Sequence, residues 1–376
     1  MPEIETNLGE WRRKRGLSAI QLAATIGVSR QTIYAMEAGT YVPNTAVALR
    51  LARALETPVE TLFALTDNAL PELKSELATM LPGSPALQPG QVVQLCQVDR
   101  RLMASPPSPI PWYFPSADAV VSDRPAALGK TQAKTPVRLI HSDGGFDNRI
   151  LVAGCDPGIS VLARHAQAAG VELVLTHRNS SQGLALLKEG CVHIAGTHLR
   201  DEATGESNLP QIAHTFQKNS VAVISFADWE EGILTQRGNP KNIRGIEDLT
   251  AKNVSIVNRE QGAGSRALLD SRLEKLGIDA RRVKGYRNLA QGHLPAAWQV
   301  QSGAADCCVA TRAAARVFGL HFIPLVSERY DLVIRKEHLD LPRVQNLLDI
   351  LGRSAFRREL ESLGGYDTRI TGKRQL

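Results

Sequence analysis

The stretch Leu17–Glu37, LSAIQLAATIGVSRQTIYAME, reads as two short amphipathic helices joined by a tight turn. Ala19–Ile26 puts Leu22, Ala23 and Ile26 on one face, and Ile33 and Met36 form the apolar side of the second helix. Gly27 supplies the permissive backbone that a turn between crossed helices needs. Ser29 is a good N-cap for the second helix. Arg30, Gln31, Thr32 and Tyr34 then face outward near its N-terminal end. A second helix that presents Arg and Gln from its first turn has the geometry for setting donors on base edges in the major groove of DNA.

Working outward, LGEWRRKRGLS, GVSRQTIYAMEAGTYVP, ALRLARAL and TLF follow in order between residues 5 and 64. Together they resemble the phage-repressor class of helix-turn-helix proteins, the XRE-like regulators. The resemblance implies that Arg30 and Gln31 read bases and that Ser29 and Thr32 lie near phosphates or bases. It implies that Arg12 and Glu37 tie the first and third helices together. Ala19 departs from the class, which often has a phosphate-binding Gln there. Residues 1–66 hold 7 Lys+Arg and 6 Asp+Glu, a net charge of only +1, with the positive charge bunched at Arg12–Arg15. Lys14 of that cluster joins Ser29, Arg30, Gln31, Thr32 and Tyr34 as a DNA-binding candidate. So small a charge predicts modest affinity per copy and paired half-sites bound by a homodimer or higher oligomer.

The whole chain has 376 residues, which is long for one core and predicts two or three domains. Its formal net charge is +6. That balance permits nucleic acid as a partner. The N-terminus, MPEIETNLGE, has no apolar signal segment, and no apolar run reaches membrane-spanning length, so a cytoplasmic protein without a membrane partner is expected. Cys96, Cys155, Cys191, Cys307 and Cys308 are odd in number and show no C-x-x-C spacing, which argues against a disulfide framework or zinc knuckle. The nine histidines show no H-E-x-x-H spacing, and no metal site is predicted from them.

Residues 67–136 are read as a helical and β-rich connector. Asp67–Met80 is predicted to extend a helix, Gln91–Val98 and Trp112–Phe114 to form strands, and Gly129–Pro136 to be a flexible join. From Val137 strands and helices alternate, predicting a parallel α/β sheet with ligands beyond the carboxyl ends of its strands. Phe322–Leu325 and Leu332–Ile334 are read as two separate strands. Three strand-to-helix junctions are rich in small donors: Gly154–Gly158, Thr176–Ser181 and Asn258–Arg266. Helix starts of this kind favour anions through free N–H groups and the helix dipole. Asp156, Asn179, Ser180, Ser181, Arg259, Gly264, Ser265 and Arg266 are therefore the ligand-binding candidates.

The segments SSQGLALLKEGCVHIAGTHL, NPKNIRGIEDL, NREQGAGSRALLD, HLPAAWQVQSGAADCCVATRAAA and ERYDLVIRKEHLDLPRVQNLLDIL resemble the periplasmic-binding-protein superfamily, specifically the molybdate-binding-like domain found fused to helix-turn-helix domains. Where that family often reads Gly-Ser-Gly-Thr-Arg, this chain has Gly262-Ala263-Gly264-Ser265-Arg266. The resemblance implies a multidomain chain: an all-α domain over 1–66, the connector, and a two-lobed α/β domain over 137–376. Lobe 1 spans 137–230 and 326–370, lobe 2 spans 231–325, and two crossing strands form the hinge. It also implies a ligand-responsive transcriptional regulator without catalytic residues or cofactor, whose effector is a small anion, molybdate or tungstate first. Two alternatives are a regulator of a larger anionic metabolite or a molybdenum-cofactor-like pterin, and an enzyme with an accessory DNA-binding domain. For the enzyme, Asp156, His177, His198 and Asp201 offer acid–base groups, but no spacing that chemistry requires links them.

Overall fold

The computed structural model describes residues 4–65, 74–107, 116–123, 134–140, 145–201 and 204–376, in two units, 1–73 and 74–376. The first unit is five helices, α1 (Leu8–Lys14), α2 (Ala19–Ile26), α3 (Arg30–Glu37), α4 (Thr45–Leu55) and α5 (Val59–Leu62), with a short antiparallel pair, β1 (Ile4–Thr6) and β2 (Phe63–Leu65). Local signals set the bounds of its central helices. The Ser18 side chain accepts from Gln21 N at the start of α2, Gly27 ends that helix in the left-handed region with φ 75°, and Ser29 Oγ accepts from Thr32 N at 3.0 Å to start α3. Leu8, Leu22, Ile26, Ile33, Met36, Leu51, Leu55 and Leu62 close the core. Arg12 fastens it: its Nε donates to Glu37 Oε1 at 2.5 Å and its Nη2 to Glu37 Oε2 at 3.1 Å, with both side chains largely buried. Ser29→Ala removes a cap from the second helix and is expected to destabilise this unit by about 1 kcal/mol in thermal unfolding.

The second unit begins with a closed five-stranded barrel of β3 (Ser75–Met80), β4 (Val92–Val98), β5 (Arg101–Ser105), β6 (Ala119–Val121) and β7 (Lys134–Leu139), ordered β3-β5-β4-β6-β7. Two expectations are corrected here. Ser75–Met80 is a strand, because pairing with β5 and β7 outweighs the helix propensity of its Glu, Leu, Ala and Met. Lys134–Pro136 belongs to the strand that closes the barrel and is no flexible join. Residues 67–73 and Trp112–Phe114 lie outside the described residues.

A nine-stranded sheet follows. Its elements are β8 (Arg149–Gly154), α6 (Ile159–Ala168), β9 (Glu172–His177), α7 (Ser180–Lys188), β10 (Ile194–Thr197), α8 (Leu209–Thr215), β11 (Val221–Thr235), β12 (Ile256–Arg259), α9 (Gly264–Lys275), β13 (Leu289–Ala290), α10 (His293–Gln301), β14 (Cys307–Thr311), α11 (Arg312–Val317), β15 (His321–Arg335), α12 (Lys336–Leu339), α13 (Pro342–Gly352), α14 (Ser354–Ser362) and β16 (Tyr366–Asp367). The strand order is β13-β12-β14-β11-β15-β10-β8-β9, with β16 paired to β11.

The expected parallel sheet is mixed. Strands run parallel within each lobe, β8 with β9 and β10, β12 with β13 and β14. Between them, β11 and β15 pair antiparallel over their whole 15-residue lengths, from Val221↔Arg335 to Thr235↔His321. The two strands read separately in the C-terminal half are this one strand, β15. Two apolar clusters cover the faces of the first lobe and two those of the second. Barrel residues Leu81, Cys96, Val98 and Met103 share a core with the first lobe, and Arg149 Nη1 donates to Leu95 O at 3.0 Å. Among the described residues no helix is long and apolar enough to cross a membrane.

Candidate functional site

Helix α3 turns its polar side outward. Arg30, Gln31 and Ser29 are exposed, Thr32 is half-buried, and Tyr34 is exposed beside Arg30, whose Nη2 donates to Tyr34 Oη at 3.2 Å. The guanidinium lies 5.2 Å from the ring centroid. Lys14 is exposed on α1, its Nζ 4.5 Å from the Trp11 ring centroid. Ile33 and Met36 are buried on the opposite side of α3, so apolar periodicity fixes which residues face solvent.

In the second unit the chemistry gathers where parallel strands end. Cys155 follows β8, His177 ends β9, His198 follows β10, Arg259 ends β12, and His293 comes three residues after β13. Residues at the carboxyl ends of parallel strands in both lobes meet here, the ligand atoms of Cys155, His198 and His293 lying within 4.8 Å of one another, and the rule for such sheets places a ligand cleft at these ends. The paired strands form its wall: Trp229 lies opposite Glu328, Glu231 and Tyr330 stand two residues further along, and period-two alternation puts all four on one face.

The predicted donors meet here, and most are engaged. Asn179 caps α7, accepting from Gln182 N at 3.0 Å, and its Nδ2 donates across the cleft to Gln261 O at 3.1 Å. Ser180 Oγ accepts from His198 N at 3.1 Å. Ser181 is exposed, and a Cβ at Gly262 would lie 3.3 Å from Ser181 Cβ. Ser265 Oγ donates to Glu231. Arg266 is engaged by Asp270 and Arg259 O and lies over the Tyr286 ring. Gly264 is buried at the start of α9 against His198. Asp156 accepts from Gly158 N at 2.7 Å and from Tyr366 Oη, while its Oδ2 has no partner among the described residues. Burial pushes the Asp156 carboxyl up to about 6, against those two hydrogen bonds. Arg259 is 1 % exposed; Nε and Nη2 bond Glu260 at 3.1 and 3.2 Å, and Nη1 has no partner among the described residues.

Beneath these donors lies a buried polar cluster that the junctions do not reveal. His198 Nδ1 bonds Glu328 Oε2 at 2.9 Å, and Nε2 has no partner among the described residues. Neither ring nitrogen of His293 has a hydrogen-bond partner among the described residues, and Nδ1 lies 3.8 Å from Glu231 Oε1. The His198 ring packs edge-on to Trp229 at 4.7 Å. Burial works against the His198 imidazolium, yet Cys155, Glu328 and Glu231 outweigh it and hold its pKa well above the usual histidine range. Burial, then Arg259, drives His293 well below that range. His177 is lowered to about 4, by burial first and then Arg259. Glu231 is raised by burial and by Glu328.

Of this cluster, His177 and His198 appeared from sequence only as acid–base groups of the enzyme alternative. The signal for Glu231 and Glu328 was charge inside apolar strands, FADWEEGIL and LVSERYDLV, and nothing in the sequence singled out His293. A buried unmatched charge in a strand needs a functional or structural partner.

Comparison with known proteins agrees with this division. A helix-turn-helix family matches residues 8–62, and the PBP superfamily domain matches residues 163–352. The chain is 34% identical over 225 residues to YvgK of Bacillus subtilis, covering 60% of this chain and 72% of that one. It is 41% identical over 66 residues to an HTH-type transcriptional regulator of Methanothermobacter thermautotrophicus, covering 17% of this chain and 96% of that one. Among solved structures, a phosphate ABC transporter substrate-binding protein from Clostridium perfringens superposes with a TM-score of 0.46 at 14% identity, over 58% of this chain and 98% of that one.

Proposed function

The chain belongs to the PBP superfamily domain family and carries an N-terminal helix-turn-helix domain, and on that premise we propose that it is a transcriptional regulator, not an enzyme, whose interlobe cleft binds a small oxyanion that sets its affinity for operator DNA. Fusion of a DNA-binding domain to a ligand-binding domain supports ligand-responsive regulation. The observation that carries the oxyanion reading is the meeting of two helix N-termini, α7 and α9, beside the buried, unpartnered Nη1 of Arg259. Free N–H groups, helix dipoles and a guanidinium all favour negative charge. Molybdate and tungstate come first on the resemblance of the segments between 180 and 351. Asn179, Ser181, Gly264 and Arg259 line the entrance in this reading, and β11 and β15 are the hinge.

Ligand acts by its differential affinity for closed and open lobes, and coupling to DNA binding of about 1–3 kcal/mol is typical of such linkage. Exposed Arg30 and Gln31 read bases, Ser29, Thr32, Tyr34 and Lys14 support them, and a homodimer binds two half-sites. Thermal unfolding of the full chain with molybdate, tungstate, sulfate and phosphate tests the ligand class. A ligand at 100 times its Kd stabilises the fold by about 2.7 kcal/mol. Stabilisation by molybdate and tungstate alone is the expected result; no response to any of the four overturns the simple-oxyanion reading.

A further inference from the structure

The cleft floor carries more than an anion site needs. Three carboxylates, on Asp156, Glu231 and Glu328, are buried there, and carboxylates repel an oxyanion. Beside them lie the thiol of Cys155 and the imidazoles of His198 and His293. The ligand atoms of Cys155, His198 and His293 all fall within 4.8 Å of one another, and so do those of His198, Glu231 and Glu328. Four ligands at tetrahedral angles and bonds of about 2.1 Å stand about 3.4 Å apart, so a small contraction of this pocket completes a coordination shell.

We propose that the floor of the interlobe cleft is a divalent transition-metal site, with Cys155, His198 and His293 as ligands and Glu231 in reach of the fourth position. The unpartnered atoms point to it. His198 already gives Nδ1 to Glu328, which leaves Nε2 for a metal; a carboxylate holding the far nitrogen of a metal-bound histidine is the usual supporting arrangement. His293 has both nitrogens unpartnered at 1 % exposure, and Glu231 Oε2 is unpartnered too. One thiolate, two imidazoles and a carboxylate suit a borderline-soft tetrahedral ion, zinc before magnesium or calcium. Binding releases two protons to solvent, one from the Cys155 thiol and one from His198 Nε2. Linear spacing hides such a site, because its ligands follow three different strands and span 155 to 293.

The proposal rests on the cleft being the ligand pocket but not on the ligand being an oxyanion. Cys155 and His198 come from the first lobe and His293 from the second, so the ion ties the lobes together. Full-length protein stripped with EDTA is titrated with Co2+ in the absence of oxyanion, and absorption is recorded. The expected result is one Co2+ per chain with a thiolate-to-cobalt charge-transfer band that Zn2+ displaces. The band is expected to vanish in Cys155→Ser, and affinity to fall at least tenfold in His293→Asn and about 10–100-fold in Glu328→Gln. Circular dichroism identifies the variants that stay folded, and His293→Asn carries the test if Cys155→Ser does not fold. No charge-transfer band, or one unchanged in Cys155→Ser and affinity unchanged in His293→Asn, overturns the site. A cobalt site with no oxyanion response upholds the metal and rejects the oxyanion reading; the converse rejects only the metal.

Discussion

Arg30→Ala together with Gln31→Ala is expected to lower operator-specific affinity at least 30-fold while the domain stays folded. Both side chains leave the first turn of α3, both are exposed, and the core beneath is built from Ile33 and Met36. Each is expected to contribute about 1–3 kcal/mol of base discrimination, so the pair lowers specific affinity by roughly 30-fold to 10⁴-fold. The contact between Arg30 and Tyr34 is solvent-exposed, so its loss changes stability little. Non-specific binding is a different quantity. It comes from phosphate contacts by exposed cations such as Lys14 and Arg13, and survives the double substitution with its salt dependence intact. Fluorescence anisotropy at one fixed salt concentration measures both, using an operator selected from random duplexes by the unaltered protein. A double variant that binds this operator as tightly as the parent assigns base reading to other residues.

The helix-turn-helix was legible because its determinants are local. Ser18, Gly27 and Ser29 each act on a backbone group within a few residues, and Ile33 and Met36 report the buried face through helical spacing. In the barrel only β4 was legible, at Gln91–Val98; its closure was not, since β3 owes its conformation to β5 and to β7, more than fifty residues away. Reading β15 as two strands has a related cause. Ser327, Glu328 and Arg329 interrupt its apolar pattern, yet they continue the pairing with β11, and Glu328 is buried with His198 as its hydrogen-bond partner. The site shows the same division. Helix starts mark Asn179, Ser180 and Ser265 from sequence alone, but whether a hydroxyl is free for a ligand depends on its tertiary partner. Ser180 is taken by His198 N and Ser265 by Glu231. His198 and His293 become neighbours, 5.7 Å between ring centroids, only because the two lobes meet.

That meeting of lobes can be blocked at one atom. Gly264→Val is expected to hold the cleft open and to remove the response to ligand. A Cβ at Gly264 would lie 2.4 Å from His198 Cε1 and 2.6 Å from both His198 Nδ1 and the His198 carbonyl oxygen. His198 has little room to yield, because its N–H is bonded to Ser180 Oγ and its ring to Glu328. The backbone of Gly264 is helical, at the first position of α9, so a side chain is unstrained there once the lobes part. Overpacking of this kind opposes closure by about 1–3 kcal/mol, a roughly 5–150-fold shift toward the open state, without unfolding either lobe. Amide hydrogen exchange over 179–184 and 262–266 reads the difference, with faster exchange expected in the variant. Gly352→Ala is the control: a Cβ there meets nothing within 4 Å, and its exchange in the cleft segments is expected to match the parent. Parent-like protection in Gly264→Val would mean that the contact between His198 and α9 does not govern closure, and would move the gate to the Asn179–Gln261 bond or to the β11–β15 hinge.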